Sequence, residues 1–207
     1  MKLYLSSYRI PTPAAISQLV GKPLSAIKMA VIPNAKDYYA ARAWQYKVGD
    51  FTDYLAALEI RGDVLDLRTF ANQEQLLENI QQYDIIWAMG GNTFCLRYEM
   101  QRSGFDTVIR TYLESGGVYA GDSAGAIVAG KSLEGVEFGD EPAFAEETIW
   151  QGMGLVDTLI IPHADSPAFA TAVAKMRERN GGSGNVLELT DTQALVIDGD
   201  SSRIVNT

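Results

Sequence analysis

The sequence predicts an α/β protein built on a doubly wound, mostly parallel sheet that ends in a C-terminal β-hairpin. Three observations lead there. Short apolar runs alternate with longer segments of helical period along most of the chain. Several runs are continuous rather than alternating, such as Ile85-Ile86-Trp87-Ala88-Met89, the pattern of strands covered on both faces. The tail changes character: three short strand-like segments succeed one another with only turn residues between them, Asp198-Gly199-Asp200 included.

In chain order, strands are expected at 2–6, 28–32, 63–67, 84–89, 117–120 and 158–161. Helices are expected at 14–20, 38–60, 73–82, 93–103, 105–115, 124–130 and 167–179. Tyr54, Leu55, Leu58 and Ile60 keep an apolar face over the last turns of the second helix. Regular alternation of this kind implies right-handed crossovers and helices on both faces of one sheet. The segments 186–189, 194–197 and 203–205 read as a strand followed by a terminal hairpin. Asn180-Gly181-Gly182-Ser183-Gly184-Asn185 reads as a loop within the domain, because the segment from 186 to the end is too short to fold alone. Residues 1–207 are therefore expected to form a single domain, without repeats or low-complexity tracts.

Composition narrows the function. With 207 residues and 47% of them hydrophobic, the chain can bury a core without covalent staples. One cysteine, Cys95, cannot form an internal disulfide, and one cysteine with one histidine makes no zinc or iron site. The net charge of −9 argues against nucleic acid as a partner. Met1-Lys2-Leu3-Tyr4-Leu5-Ser6-Ser7 does not read as a secretory leader, and no apolar stretch approaches the roughly 20 residues of a membrane span. A cytoplasmic protein with no membrane partner is expected, monomeric or homodimeric.

The informative stretch is Gly117-Val118-Tyr119-Ala120-Gly121-Asp122-Ser123-Ala124-Gly125-Ala126. An apolar strand runs into G-x-S-x-G and then into small residues of helical character. A serine on such a sharp strand-to-helix turn has its oxygen pushed out above the sheet. Gly121 and Gly125 leave room for the turn, and the Ala124 N–H at the helix start can stabilise an oxyanion. The alternative is a close-packed turn in which Ser123 merely caps the helix. A nucleophilic serine needs a base, and the only histidine, His163, comes after the apolar run Leu159-Ile160-Ile161-Pro162. A carboxylate must then fix its tautomer. Glu134, Glu137, Asp140, Glu141, Glu146, Glu147 and Asp157 lie between the two residues, and Asp165 lies just beyond. Asp122 adjoins the nucleophile, with its side chain expected to point away. Gly90-Gly91-Asn92-Thr93-Phe94 forms a second glycine turn after a strand. It reads either as an oxyanion donor through Gly91 or as a tight turn capped by Asn92 or Thr93.

Four blocks, in this order, resemble the family of peptidase E (aspartyl dipeptidase) and cyanophycinase, which are serine peptidases. They are Gly90-Gly91-Asn92-Thr93-Phe94, Gly121-Asp122-Ser123-Ala124-Gly125-Ala126, Gly154-Leu155-Val156-Asp157 and Pro162-His163. The resemblance spans nearly the whole chain. It implies a class I glutamine amidotransferase-like, flavodoxin-like fold and a cofactor-free hydrolase. It further implies Ser123 as nucleophile, His163 as base, and Gly91 and Ala124 as oxyanion donors. The acidic member is expected after the nucleophile helix, where Asp140 matches best and a short gap would shift the choice to Glu137 or Glu134. The expected reaction is hydrolysis of small peptides through an acyl-enzyme, dipeptides with N-terminal aspartate included.

The chain departs from the family where Ala164-Asp165-Ser166-Pro167 comes after the histidine, and it lacks the basic insertion tied to aspartate recognition. Specificity is therefore less firmly implied than chemistry. Asn92 and Thr93, with Arg97 one turn further on and Arg9 after the first strand, are the candidates for binding substrate. Two rival readings are an esterase-type α/β hydrolase and a catalytically inactive amidotransferase-like binding module. The position of His163, with a helix and three strands still to come, disfavours the first. The intact serine, histidine and glycine clusters disfavour the second.

Overall fold

The computed structural model describes residues 1–181 and 185–207, so Gly182, Ser183 and Gly184 of the expected 180–185 loop lie outside the described residues. The main sheet has seven strands, in the order β3-β2-β4-β5-β1-β8-β9. Five of them run parallel: β1 (Lys2–Ser6), β2 (Lys28–Ile32), β3 (Arg61–Val64), β4 (Ile85–Ala88) and β5 (Val118–Asp122). The hairpin of β8 (Gln193–Asp198) and β9 (Ser201–Asn206) then adds to the β1 edge in antiparallel fashion.

The pleat sorts the apolar residues between two cores. Leu3, Leu5, Ala30, Ile32, Ile86, Ala88 and Tyr119 pack under α3 (Gln73–Ile80), α4 (Thr93–Arg102), α5 (Phe105–Glu114) and α6 (Ala124–Ile127). Their neighbours Tyr4, Met29, Val31, Ile85, Trp87, Val118 and Ala120 pack under α1 (Pro13–Val20) and α2 (Ala41–Ala57). Both faces are covered, which explains the continuous apolar runs. Helix starts obey their sequence signals: Pro13 opens α1, and the side chains of Asn72 and Asn92 cap α3 and α4.

Several elements differ from expectation, among them the helices expected at 124–130 and 167–179, which run over Ala124–Ile127 and Ala170–Asn180. The second helix is shorter at both ends, because Ala40 is extended before its first turn and Glu59, at φ 62°, stops it. The third strand ends at Val64. Asp66 then accepts the Arg68 N–H and Asn34 Oδ1 accepts the Leu67 N–H, turning the chain into a 3-10 turn at Leu67–Thr69. The segment after α6 leaves the main sheet: β6 (Leu159–Ile161) pairs in parallel with β7 (Val186–Glu188) as a separate two-stranded sheet. Together with α7 (Ala170–Asn180), this sheet closes a third apolar cluster that includes Phe94, Ile127, Val173 and Met176.

This topology gathers the loops after β1, β2, β4 and β5 at one sheet edge, where ligands bind in open α/β sheets. No helix among the described residues is long and apolar enough to cross a membrane.

Candidate active site

Ser123 sits between β5 and α6 at φ 49° and ψ −111°, a strained conformation for a residue with a side chain, costing roughly 1–3 kcal/mol. Its surroundings hold it there. The Ser123 N–H donates to the Ser6 carbonyl at 3.1 Å, and the Ser123 carbonyl accepts from the Ala126 and Ile127 N–H groups. The flanking glycines are required by close approach. A Cβ on Gly125 would stand 2.1 Å from the Ala88 carbonyl oxygen, and one on Gly121 would stand 2.7 Å from the Gly125 backbone. The strand therefore runs directly against the helix start, and the hydroxyl is forced outward.

His163 lies just after β6 and is also strained, at φ 61°. Its Nε2 lies 3.1 Å from Ser123 Oγ and its Nδ1 lies 2.6 Å from Asp191 Oδ1. A carboxylate only accepts, so Nδ1 carries the proton and Nε2 is left to accept from the serine hydroxyl. The Phe169 ring stacks on the imidazole, with centroids 4.4 Å apart. Ser7, fully buried after β1, fastens both partners: its Oγ accepts the His163 N–H at 2.7 Å and donates to Asp191 Oδ1 at 2.8 Å. Asp165 Oδ1 accepts the Asp191 N–H at 2.9 Å.

The carboxylate on the histidine is thus Asp191, not the expected Asp140. Asp140 Oδ2 instead accepts from the Thr93 N–H at 2.9 Å and the Thr93 hydroxyl at 2.5 Å, at the N-terminus of α4, where a carboxylate is favoured. Burial pushes its carboxyl above the usual range, although the Thr93 bonds pull the other way. The alternatives are engaged elsewhere too: Glu137 accepts the Gly135 N–H, and Glu134 lies 3.5 Å from Arg179. Asp140 still borders the same small cavity as Ser123, closed by Phe169 and Met176.

Gly90 and Gly91 come straight after β4, directly against the nucleophile. A Cβ on Gly90 would lie 3.0 Å from Ser123 Cβ, and one on Gly91, at φ 148°, would lie 2.2 Å from the Ala35 carbonyl oxygen. Ala124, the other expected oxyanion donor, opens α6 directly after the nucleophile. Asp122 points away as expected, accepting from Trp87 Nε1 at 2.9 Å and the Gly90 N–H at 3.2 Å, with its carboxyl pushed up by burial.

The expected substrate contacts already have partners within the protein. Asn92 Oδ1 caps α4 and its Nδ2 donates to the Glu141 carbonyl, while the Thr93 hydroxyl is spent on Asp140; both residues are buried. Arg97 faces inward, with 3% of its side chain exposed, paired in bidentate fashion to Asp106 and donating to the Gln151 carbonyl. Arg9 pairs with Asp50 at 2.6 Å and covers the Tyr54 ring, so its charge is already matched.

Sequence reasoning missed Asp191 by searching chiefly between serine and histidine. The signal lay in topology. A return strand that pairs antiparallel with β1 must begin at the C-terminal edge of β1, so the turn before β8 is delivered beside Ser7. Among the described residues, no group of three or more His, Cys, Asp and Glu side chains is placed to hold a metal.

The chain resembles known proteins in sequence and in fold. Residues 6–205 match the model of peptidase family S51. An uncharacterized peptidase of Listeria monocytogenes serovar 1/2a is 27% identical over 146 residues, 70% of this chain and 71% of the relative. Peptidase E of Pasteurella multocida is 32% identical over 139 residues, 64% of this chain and 58% of the relative. A crystal structure of a candidate peptidase E from Listeria monocytogenes EGD-e shares the fold, with a TM-score of 0.84 at 22% identity. That match covers 100% of this chain and 98% of the other.

Proposed function

Starting from the fact that the chain belongs to peptidase family S51 and is a serine peptidase, we propose that it hydrolyses small peptides, dipeptides with N-terminal aspartate among them, through an acyl-enzyme on Ser123. The observation that carries this reading is the continuous relay of Ser123 Oγ, His163 and Asp191, with spacings of 3.1 and 2.6 Å.

In this reading, Ser123 Oγ attacks the scissile carbonyl as His163 Nε2 takes the hydroxyl proton. Asp191 keeps the proton on Nδ1 and balances the imidazolium that forms. The N–H groups of Gly91 and Ala124 receive the oxyanion. His163 then returns the proton to the leaving amine, which departs and leaves the acyl-enzyme. Water, deprotonated by the same nitrogen, attacks the ester, and Ser123 is regenerated. The cavity bordered by Ser123, Asp140 and Phe169 measures only about 30 Å³, which supports a small group beside the nucleophile.

Turnover of a dipeptide panel by the wild-type protein and by Ser123→Ala tests the proposal. Hydrolysis that disappears in Ser123→Ala while the far-UV spectrum is unchanged supports it. Substantial turnover by Ser123→Ala overturns it.

A further inference from the structure

A second cavity, of about 270 Å³, opens on the α2 side of the glycine turn. Gly90 and Asp122, the neighbours of the oxyanion turn and of the nucleophile, form one wall. Arg9, Lys36, Lys47 and Asp50 supply charged groups to the rest of its lining, among aromatic and apolar side chains. In a chain of net charge −9 this concentration of cations beside the candidate site is unexpected.

The charges do not cancel. Arg9 is matched by Asp50. The Asp122 carboxyl is turned to Trp87 and Gly90 and bonds neither lysine. The Lys36 side chain, half-buried after β2, makes no ion pair or hydrogen bond among the described residues. The Lys47 ammonium lies 4.8 Å above the Tyr39 ring rather than on a carboxylate. Burial lowers the Lys36 ammonium below its ordinary range, while Asp122 and Asp140 pull it back. Lys36 is thus within electrostatic reach of Asp122, the residue before Ser123, and of Asp140, which borders the small cavity at Ser123. A half-buried ammonium without a partner gains most from a ligand that brings a carboxylate to it.

We propose that this cavity is an anion subsite and that Lys36 binds a substrate carboxylate there. The proposal rests on the peptidase reading for the identity of the ligand, a short peptide. The carboxylate comes either from an acidic side chain or from the peptide C-terminus. Neither expected arginine fills this role: Arg97 is buried against Asp106, and Arg9 is paired.

The test measures binding without turnover, by calorimetry on the Ser123→Ala protein with Asp-Leu, Asn-Leu and Asp-Leu amide. Adding Lys36→Gln should weaken Asp-Leu roughly tenfold or more, the scale of a lost charge-assisted hydrogen bond. It should weaken one of the two neutral analogues by less than about twofold, and that analogue identifies the carboxylate that is read. Lys36→Arg should keep most of the affinity. Added salt should reduce Asp-Leu binding in the proteins that carry a cation at position 36 and not in Lys36→Gln. Equal weakening of all three ligands, unchanged affinity in Lys36→Gln, or no Asp-Leu binding at all would overturn the subsite. If binding depends on Lys36 as expected but the wild-type protein cleaves no dipeptide, the dipeptide reading falls and the subsite stands.

Discussion

Asp191→Asn perturbs the relay with the least change of shape. The carboxylate meets the imidazole at 2.6 Å and is additionally held by Ser7. An amide at this place either presents its N–H₂ to Nδ1, which favours the wrong tautomer, or presents its oxygen and leaves the imidazolium unbalanced. Two unit charges at about 4 Å interact by about 4 kcal/mol at an effective dielectric constant near 20. The Asp191 side chain is 38% exposed, so solvent screening reduces this to roughly 2–3 kcal/mol. The tautomer penalty adds to that. At about 1.4 kcal/mol per decade, kcat should fall roughly 10²–10³-fold. KM should stay within about twofold, because the relay acts on the transition state rather than on ground-state binding. Steady-state kinetics on the preferred dipeptide provide the assay, with Asp140→Asn as the comparison. A silent Asp191→Asn together with a crippled Asp140→Asn would refute the assignment and restore Asp140.

The same contacts predict three other outcomes. Asp140→Asn should cost less than about tenfold in kcat, since its oxygen can still accept both Thr93 bonds and only a flanking charge is lost. It should also change the pH dependence of stability. Burial raises the Asp140 carboxyl above 3.8, so the folded protein binds this proton more tightly than the unfolded chain and loses stability as pH rises from 3.8 through the raised value. Urea melts across that window should show a smaller loss for the variant than for wild type, and an equal or larger loss would contradict the burial argument. Arg97→Met should lower stability by about 2 kcal/mol by breaking a half-buried pair, while the KM for Asp-Leu is unchanged; a steep rise in KM would return Arg97 to the substrate. Gly125→Ala should destabilise by about 3 kcal/mol or prevent folding, because its methyl would meet backbone at 2.1 Å, and a wild-type urea midpoint would show that the elbow has slack.

The legible part of this protein is the part written locally. The elbow could be read because strand, glycines and serine are contiguous, and their strain and close approach are fully specified by about ten residues. His163 was legible by elimination, since the chain holds no other histidine. Asp191 was not, because its role depends on a return strand pairing beside β1, a contact between residues 184 positions apart at Ser7. The arginines misled for a related reason. The i, i+4 spacing correctly places Arg97 on the Thr93 side of α4, but nothing local shows that Asp106 on the next helix takes the charge inward. Lys36 lies in a turn without pattern, and its neighbour Ala35 packs against Gly91, a contact that nothing local in the sequence announces. The displaced β6 was hidden similarly: its apolar run fits a central strand and a small separate sheet equally well.

The central claim is that Ser123 is a nucleophile made reactive by His163 and Asp191. Intact-mass spectrometry after treatment with a fluorophosphonate measures this directly. The wild-type protein should take up one adduct, mapped to Ser123 by peptide sequencing. Ser123→Ala should take up none, His163→Ala should react far more slowly, and Asp191→Asn should fall between wild type and His163→Ala. An unlabelled wild-type protein, an adduct on another serine, or equal labelling of His163→Ala and wild type would contradict the account.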